Sequence, residues 1–277
     1  LGEPAPVRLV FTDLDATLLD RETYLWDEAA PALAACRERG IPVILVSSKT
    51  RAEMEVVSRN LGLSEHPFVT ENGGGVVFPL AGPLAPPPEA RQERDVFVLS
   101  QGTPYPELVR ALNAIRGELG LSITGFSDLT PAQLAGMTGL SEAEAGLAAQ
   151  RNFDEPFFAI SPVDLAAFTR QSVRLGLAVT PGGRFSHLHG QNDKGRAVGR
   201  LLSLYARLGP VVSMALGDAD NDLPMLQAVD FPVWLGDPGR APDLPGLSTP
   251  PHPGPRGWNL AVSSFLLQTD PRVSGWT

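Results

Sequence analysis

Two carboxylates one residue apart, Asp13 and Asp15, cut off the apolar run Leu9-Val10-Phe11. Acids do not enter a buried strand unpaired, so they belong at its C-terminal mouth, where an open α/β sheet binds its ligands. Carboxylates this close suit a bound Mg²⁺ that relieves their repulsion, while one of them attacks a phosphoryl group neutralised by the same cation. Asp13 is the candidate nucleophile, because a carboxylate can form an aspartyl-phosphate and divide one hard displacement into two easier ones. Asp15 is the candidate proton carrier, giving a proton to the leaving oxygen and later activating water. A plain strand-end turn also accounts for Thr-Asp-Leu-Asp, so the reading depends on partners further along.

Three such partners follow. The run Ile41 to Val46 is apolar and β-branched and ends in Ser47-Ser48-Lys49-Thr50. Between it and the first strand, Asp27 to Arg39 has helical spacing through Ala30, Leu33 and Ala34. Asp27 is placed to cap it and Gly40 to end it, which makes a βαβ crossover. The second partner, Asn192-Asp193-Lys194-Gly195, opens a helical pattern through Ala197, Val198, Leu201, Leu202 and Tyr205. Of 22 basic residues only Lys49 and Lys194 are lysines, and both lie beside these motifs. An ammonium is a compact point charge that fits between a carboxylate and a phosphate, which makes Lys194 the candidate phosphate clamp. The third partner is the strand Val211 to Leu216 followed by Gly217, Asp218, Asp220, Asn221 and Asp222. Acids this dense behind a buried strand read as a Mg²⁺ site of hard oxygen ligands.

These four segments, in this order, resemble the motifs of the haloacid dehalogenase superfamily of phosphohydrolases. Asp13, Asp15 and Thr17 match its first motif, Ser47 the second, Lys194 the third, and Gly217, Asp218 and Asp222 the fourth. The resemblance implies metal ligation by the Asp13 and Asp218 carboxylates and the Asp15 backbone carbonyl. It also implies phosphate binding by Ser47, Lys194 and Asn221, with Thr17 and Asp222 supporting the ligands. Ala16 stands where the family usually has glycine, so a left-handed backbone there adds strain.

Pro79 to Pro88 interrupts the α/β alternation, and the third motif resumes only after an intervening segment with its own pattern. Strands are expected at 95–99, 121–125 and 157–160 and helices at 106–119 and 163–174. Another helix starts at Ser141, whose spacing to Glu144 makes a capping box, and a hairpin lies about Gly182-Gly183. The expected architecture is α/β: a Rossmann-like core with a parallel sheet at 1–82 and 191–277, and an inserted α+β domain at 83–190. Pro79–Glu93 and Gly190–Asp193 would be its hinges. The position of the insert resembles the type 2 cap of the superfamily, which closes over the cleft and selects the substrate. Trp258 to Leu267 reads as a closing helix.

Composition fits a soluble globular core: 277 residues, 43% hydrophobic and 19% charged. A net charge of −9 without a basic stripe argues against a nucleic-acid partner. No apolar run approaches membrane-span length and no export signal pattern opens the chain, so no membrane partner and a cytoplasmic location are expected. The single cysteine, Cys36, reads as a small core residue.

Three stretches, Ser47 to Arg51, Arg151 to Phe157 and Gly182 to Gly190, resemble the mannosyl-3-phosphoglycerate phosphatases. That resemblance implies a small-molecule substrate carrying a phosphate, a carboxylate and a sugar. Arg151 and Arg184 are then candidates for gripping the carboxylate, and Asn152 and His189 for reading sugar hydroxyls. The alternative is another sugar-phosphate phosphatase or a phosphosugar mutase with the same core and cap. A binding protein that keeps the fold without catalysis is the more distant reading.

Overall fold

The computed structural model describes residues 6–159, 161–181 and 185–267. The chain begins with β1 (Val7–Thr12), α1 (Ala30–Glu38), β2 (Val43–Leu45) and α2 (Arg51–Asn60), followed by β3 (Phe68–Thr70), β4 (Gly75–Pro79), β5 (Arg91–Glu93) and β6 (Val96–Ser100). The inserted part holds α3 (Tyr105–Leu119), β7 (Ile123–Gly125), α4 (Pro131–Thr138), α5 (Glu142–Ala148), β8 (Asp154–Ala159), α6 (Pro162–Arg174), β9 (Ala178–Pro181) and β10 (Ser186–His189). The chain then returns through α7 (Lys194–Tyr205), β11 (Val211–Gly217), α8 (Leu223–Leu226), β12 (Phe231–Trp234) and α9 (Gly254–Leu267).

A parallel sheet in the order β12-β11-β1-β2 forms the centre of the core. Its strands alternate between two apolar layers, as a sheet covered on both faces must. Val10, Val43, Leu45 and Met214 pack with Leu33 of α1 and Trp258 and Phe265 of α9. Leu9, Phe11, Ile44 and Ala215 face Val198 and Leu201 of α7 and Met225 of α8. With both faces closed, the C-terminal edge of the sheet remains open to ligands. Among the described residues no helix is long and apolar enough to cross a membrane.

A second sheet, β3-β4-β6-β5, is antiparallel and continues the core edge through a parallel bridge from Val46 to Val69. The strand expected at 95–99 belongs to this sheet and not to the insert. Val98 and Leu99 complete the same apolar layers that hold β1 and β2, and Leu84 in the Pro-rich loop packs there too. The loop between β4 and β5, expected as a hinge, connects two strands of this one sheet. The chain leaves the core at residues 101–104, where the Gln101 and Gly102 N–H groups both donate to the Gly74 carbonyl.

The insert is an antiparallel sheet in the order β7-β8-β10-β9. Leu108, Leu112 and Ile115 of α3 and Phe168 of α6 pack on its Phe157 and Leu188. The Ser141–Glu144 capping box opens α5 as expected. Helix α4, capped by Thr130 and Gln133, was not foreseen, because its Gly and Thr content conceals a helical stripe that buries only Leu134. Asp27 does not cap α1. It opens one turn of 3₁₀ helix, Asp27–Ala29, and α1 begins behind it with Pro31 in its first turn. The turn about Gly182-Gly183 and Arg184 lie outside the described residues, while β9 and β10 on either side pair antiparallel.

Candidate active site

Asp13 follows the last residue of β1, and its N–H donates to the Leu216 carbonyl of β11 at 2.9 Å. The Thr12 hydroxyl fixes this end of the strand, donating to the Asp13 carbonyl at 2.7 Å and accepting the Trp258 indole N–H at 2.9 Å. Lys194 is the first residue of α7, whose N-terminus is capped by Asp193. Its Nζ lies 2.6 Å from Asp13 Oδ1 and 2.6 Å from Asp222 Oδ1. Burial works against the charge on Lys194, but the two carboxylates outweigh it and hold the ammonium above its ordinary range.

The turn after β11 presents the acids as one unit. Asp222 Oδ2 accepts the Asp218 and Ala219 N–H groups at 2.9 and 3.0 Å, folding the turn back on itself. Gly217 is required here, because a Cβ would lie 2.5 Å from that of Asp222. Asp218 accepts from Thr17 Oγ1 at 3.3 Å and pairs with the exposed Arg21 at 3.1 Å. Asp13, Asp218 and Asp222 each offer an oxygen within 4.8 Å of the others, a set that could hold a metal ion. Burial pushes the Asp13 carboxyl up to about 8, with Lys194 pulling down and Asp222 and Asp15 pushing further up. Asp218 is raised by burial and by Asp222. A site that raises its own carboxylates in this way is suited to a cation.

Asp15 points elsewhere, to Lys49 Nζ at 2.9 Å, and its other oxygen is buried with no partner among the described residues. Ala16 adopts φ +59°, the left-handed conformation that glycine would take without strain. Ser47 is buried beyond β2. Its Oγ accepts the Lys49 N–H at 3.2 Å and its carbonyl accepts the Asn72 N–H at 3.0 Å. Asn221 donates through Nδ2 to Asn72 Oδ1 at 3.1 Å. The first, third and fourth motifs thus meet around Lys194, and Asn72 ties the second to the fourth.

Arg151 and His189, expected to contact the substrate, both have partners within the protein. Arg151 is buried in the junction, donating from Nε to the Ala148 carbonyl and from Nη1 to the Ser48 carbonyl, each at 3.0 Å, with Asp154 at 3.6 Å. His189 is buried with both ring nitrogens engaged: Nδ1 lies 2.9 Å from the Gly190 carbonyl and Nε2 3.2 Å from Thr180 Oγ1. Burial also holds its pKa down, so the neutral ring donates to the carbonyl and accepts from the threonine. The Asn152 side chain is exposed.

Comparison with known proteins accounts for this arrangement. Residues 10–80 match the haloacid dehalogenase-like hydrolase family. The chain is 39% identical to a glucosyl-3-phosphoglycerate/mannosyl-3-phosphoglycerate phosphatase of Methanococcoides burtonii, over 93% of this chain and 97% of that protein. It belongs to the haloacid dehalogenase-like hydrolases. A protein of the same name from Persephonella marina is 35% identical, over 95% of this hydrolase and 98% of the relative. The fold agrees with a solved haloacid dehalogenase-like hydrolase from Bacteroides thetaiotaomicron, with a TM-score of 0.67 and 17% identity, covering 93% and 99% of the two chains. This hydrolase is a phosphoric monoester hydrolase whose parallel core sheet is accompanied by separate antiparallel sheets, as a core with a cap domain would be.

Sequence reasoning missed Arg21, Glu71 and Asn72. Arg21 carries no signal beyond its charge. Glu71 and Asn72 open a glycine run in which Asn before Gly is a signal for left-handed backbone but not for a functional role.

Proposed function

We propose that this hydrolase converts mannosyl-3-phosphoglycerate to mannosylglycerate, a compatible solute, and inorganic phosphate in the cytoplasm, through an aspartyl-phosphate on Asp13 and with Mg²⁺. The observation that carries the chemistry is the buried Asp13 bonded to Lys194 beside Asp218 and Asp222. The substrate reading rests on the names of the two nearly full-length relatives, which also cover the glucosyl compound.

The carboxylate set fits a hard divalent cation, since every donor is an oxygen and burial makes a compensating charge favourable. Asp13 and Asp218 would hold it through carboxylates and Asp15 through its backbone carbonyl, with Thr17 and Asp222 orienting Asp218. When bound, Mg²⁺ supplies positive charge against the phosphoryl oxygens.

Lys194 occupies Asp13 Oδ1, which leaves Oδ2 to attack phosphorus. The bond from phosphorus to the glycerate oxygen breaks, and Asp15 gives that oxygen its proton. The Asp15 carboxylate then takes a proton from water, whose oxygen attacks phosphorus and breaks the bond to Asp13, releasing phosphate. Lys194, Ser47 and Asn221 stabilise the phosphoryl oxygens in both steps. On the cap, which we take to span 102–190, Asn152 and Arg184 are the residues assigned to the sugar and the carboxylate. Arg151 supports them by fixing the Ser48 carbonyl.

Rapid acid quench of Asp15→Asn with ³²P-labelled substrate tests the mechanism. Labelled protein that is absent from Asp13→Asn is expected, and label persisting in Asp13→Asn would overturn the nucleophile assignment.

A further inference from the structure

The turn Glu71-Asn72-Gly73 has three successive left-handed residues, φ +47°, +53° and +89°, two of them not glycine. Such conformations persist only where the surroundings over-determine them. Here four backbone groups of Glu71 and Asn72 reach segments that carry candidate catalytic residues. The Glu71 N–H donates to the Lys49 carbonyl at 3.1 Å and the Asn72 N–H to the Ser47 carbonyl at 3.0 Å. The Asn192 amide, two residues before Lys194, lies 3.3 Å from the Glu71 carbonyl and 3.4 Å from that of Asn72. The Asn72 side chain holds Asn221.

The Glu71 side chain faces the other way, into the cap. Fully buried, it accepts the Asn152 N–H at 3.0 Å and the Phe153 N–H at 2.8 Å, just ahead of β8. The Phe153 ring seats in a socket of glycines. A Cβ on Gly74 would overlap its Cβ, one on Gly75 would lie 2.9 Å from its Cε2, and one on Gly102 would lie 2.8 Å from its Cβ. The glycine run therefore leaves room for a side chain supplied by the cap. Both connections between the domains pass this point, since the position a Gly190 Cβ would take lies 2.9 Å from the Thr103 nitrogen.

We propose that Glu71 is a positioning residue that registers the cap on the catalytic core, holding the Asn152 and Phe153 amides at the pivot while its own turn holds the Ser47, Lys49 and Asn221 segments. Selectivity for a large phosphoglycerate glycoside over a small phosphate ester then depends on Glu71, a consequence that rests on the substrate reading above. The registration itself does not depend on that reading.

Two measurements on the full-length, Mg²⁺-supplied enzyme test this. In Glu71→Ala the ratio of kcat/KM for mannosyl-3-phosphoglycerate to that for p-nitrophenyl phosphate is expected to fall about tenfold or more, with Glu71→Gln, which keeps one acceptor oxygen, in between. Hydrogen exchange at the Asn152 and Phe153 amides is expected to accelerate in Glu71→Gln, with no acceleration in β1 or β11. Equal losses on both esters, no loss on either, or unchanged exchange at the two amides would overturn the proposal. A wild-type enzyme inactive on the mannosyl compound would instead remove the substrate reading and leave the exchange result to decide on Glu71.

Discussion

Lys194 donates to Asp13 and Asp222 at the same time, 2.6 Å to each, from a side chain with no exposure to solvent. One cation thus joins the end of β1 to the turn after β11, and its removal leaves two buried carboxylates facing each other. Lys194→Met is expected to lose about 3–5 kcal/mol of stability, because breaking a buried ion pair leaves uncompensated charge. Turnover should fall by about a thousandfold or more with the phosphate clamp gone. Urea unfolding and kcat measured on the same preparation check both, and wild-type turnover in this variant would contradict the assignment. Lys194→Arg is not expected to rescue it, since a planar guanidinium does not fit a site built around a point charge.

Metal uptake should release protons. Burial raises the folded Asp13 carboxyl to about 8, so below that pH the metal-free site holds a proton that a ligating carboxylate must lose. Apparent affinity for Mg²⁺ should therefore rise with pH up to about 8 and level off above it. Calorimetric titrations at pH 7 in buffers of different ionisation enthalpy measure the proton count directly. Binding heats independent of the buffer would show that no proton leaves.

Ala16, with φ +59°, carries the strain of a left-handed backbone beside Asp15. Ala16→Gly should gain about 1 kcal/mol by removing the clash between Cβ and the following carbonyl, less the extra freedom of an unfolded glycine. The urea midpoint is expected to rise. A fall would mean that the alanine methyl makes contacts worth more than the strain.

The parts of this protein legible in its sequence are those where one segment carries both its structure and its chemistry. β1 and β11 announce themselves as apolar runs that end in acids, and α7 as a helical stripe behind Asp193 and Lys194. What was not legible depends on distant partners. The strand at Val96–Ser100 looks the same in either domain, and only its pairing with β4 assigns it to the core. Nothing local shows what the glycines at 74 and 75 are for, because the ring they make room for comes from Phe153, far along the chain. Arg151 and His189 stand in a suggestive motif, but their partners are the Ser48 carbonyl and Thr180, which no local pattern connects to them.

The central claim, Mg²⁺-dependent dephosphorylation of a glycosylated phosphoglycerate through Asp13, is tested most directly by phosphate release from a panel of esters. Mannosyl-3-phosphoglycerate, glucosyl-3-phosphoglycerate, 3-phosphoglycerate and mannose 6-phosphate would be compared by kcat/KM, with Asp13→Asn as control. The account predicts strong preference for the glycosyl phosphoglycerates and no turnover in Asp13→Asn. Equal activity on 3-phosphoglycerate and mannose 6-phosphate, or phosphate released by Asp13→Asn, would contradict it.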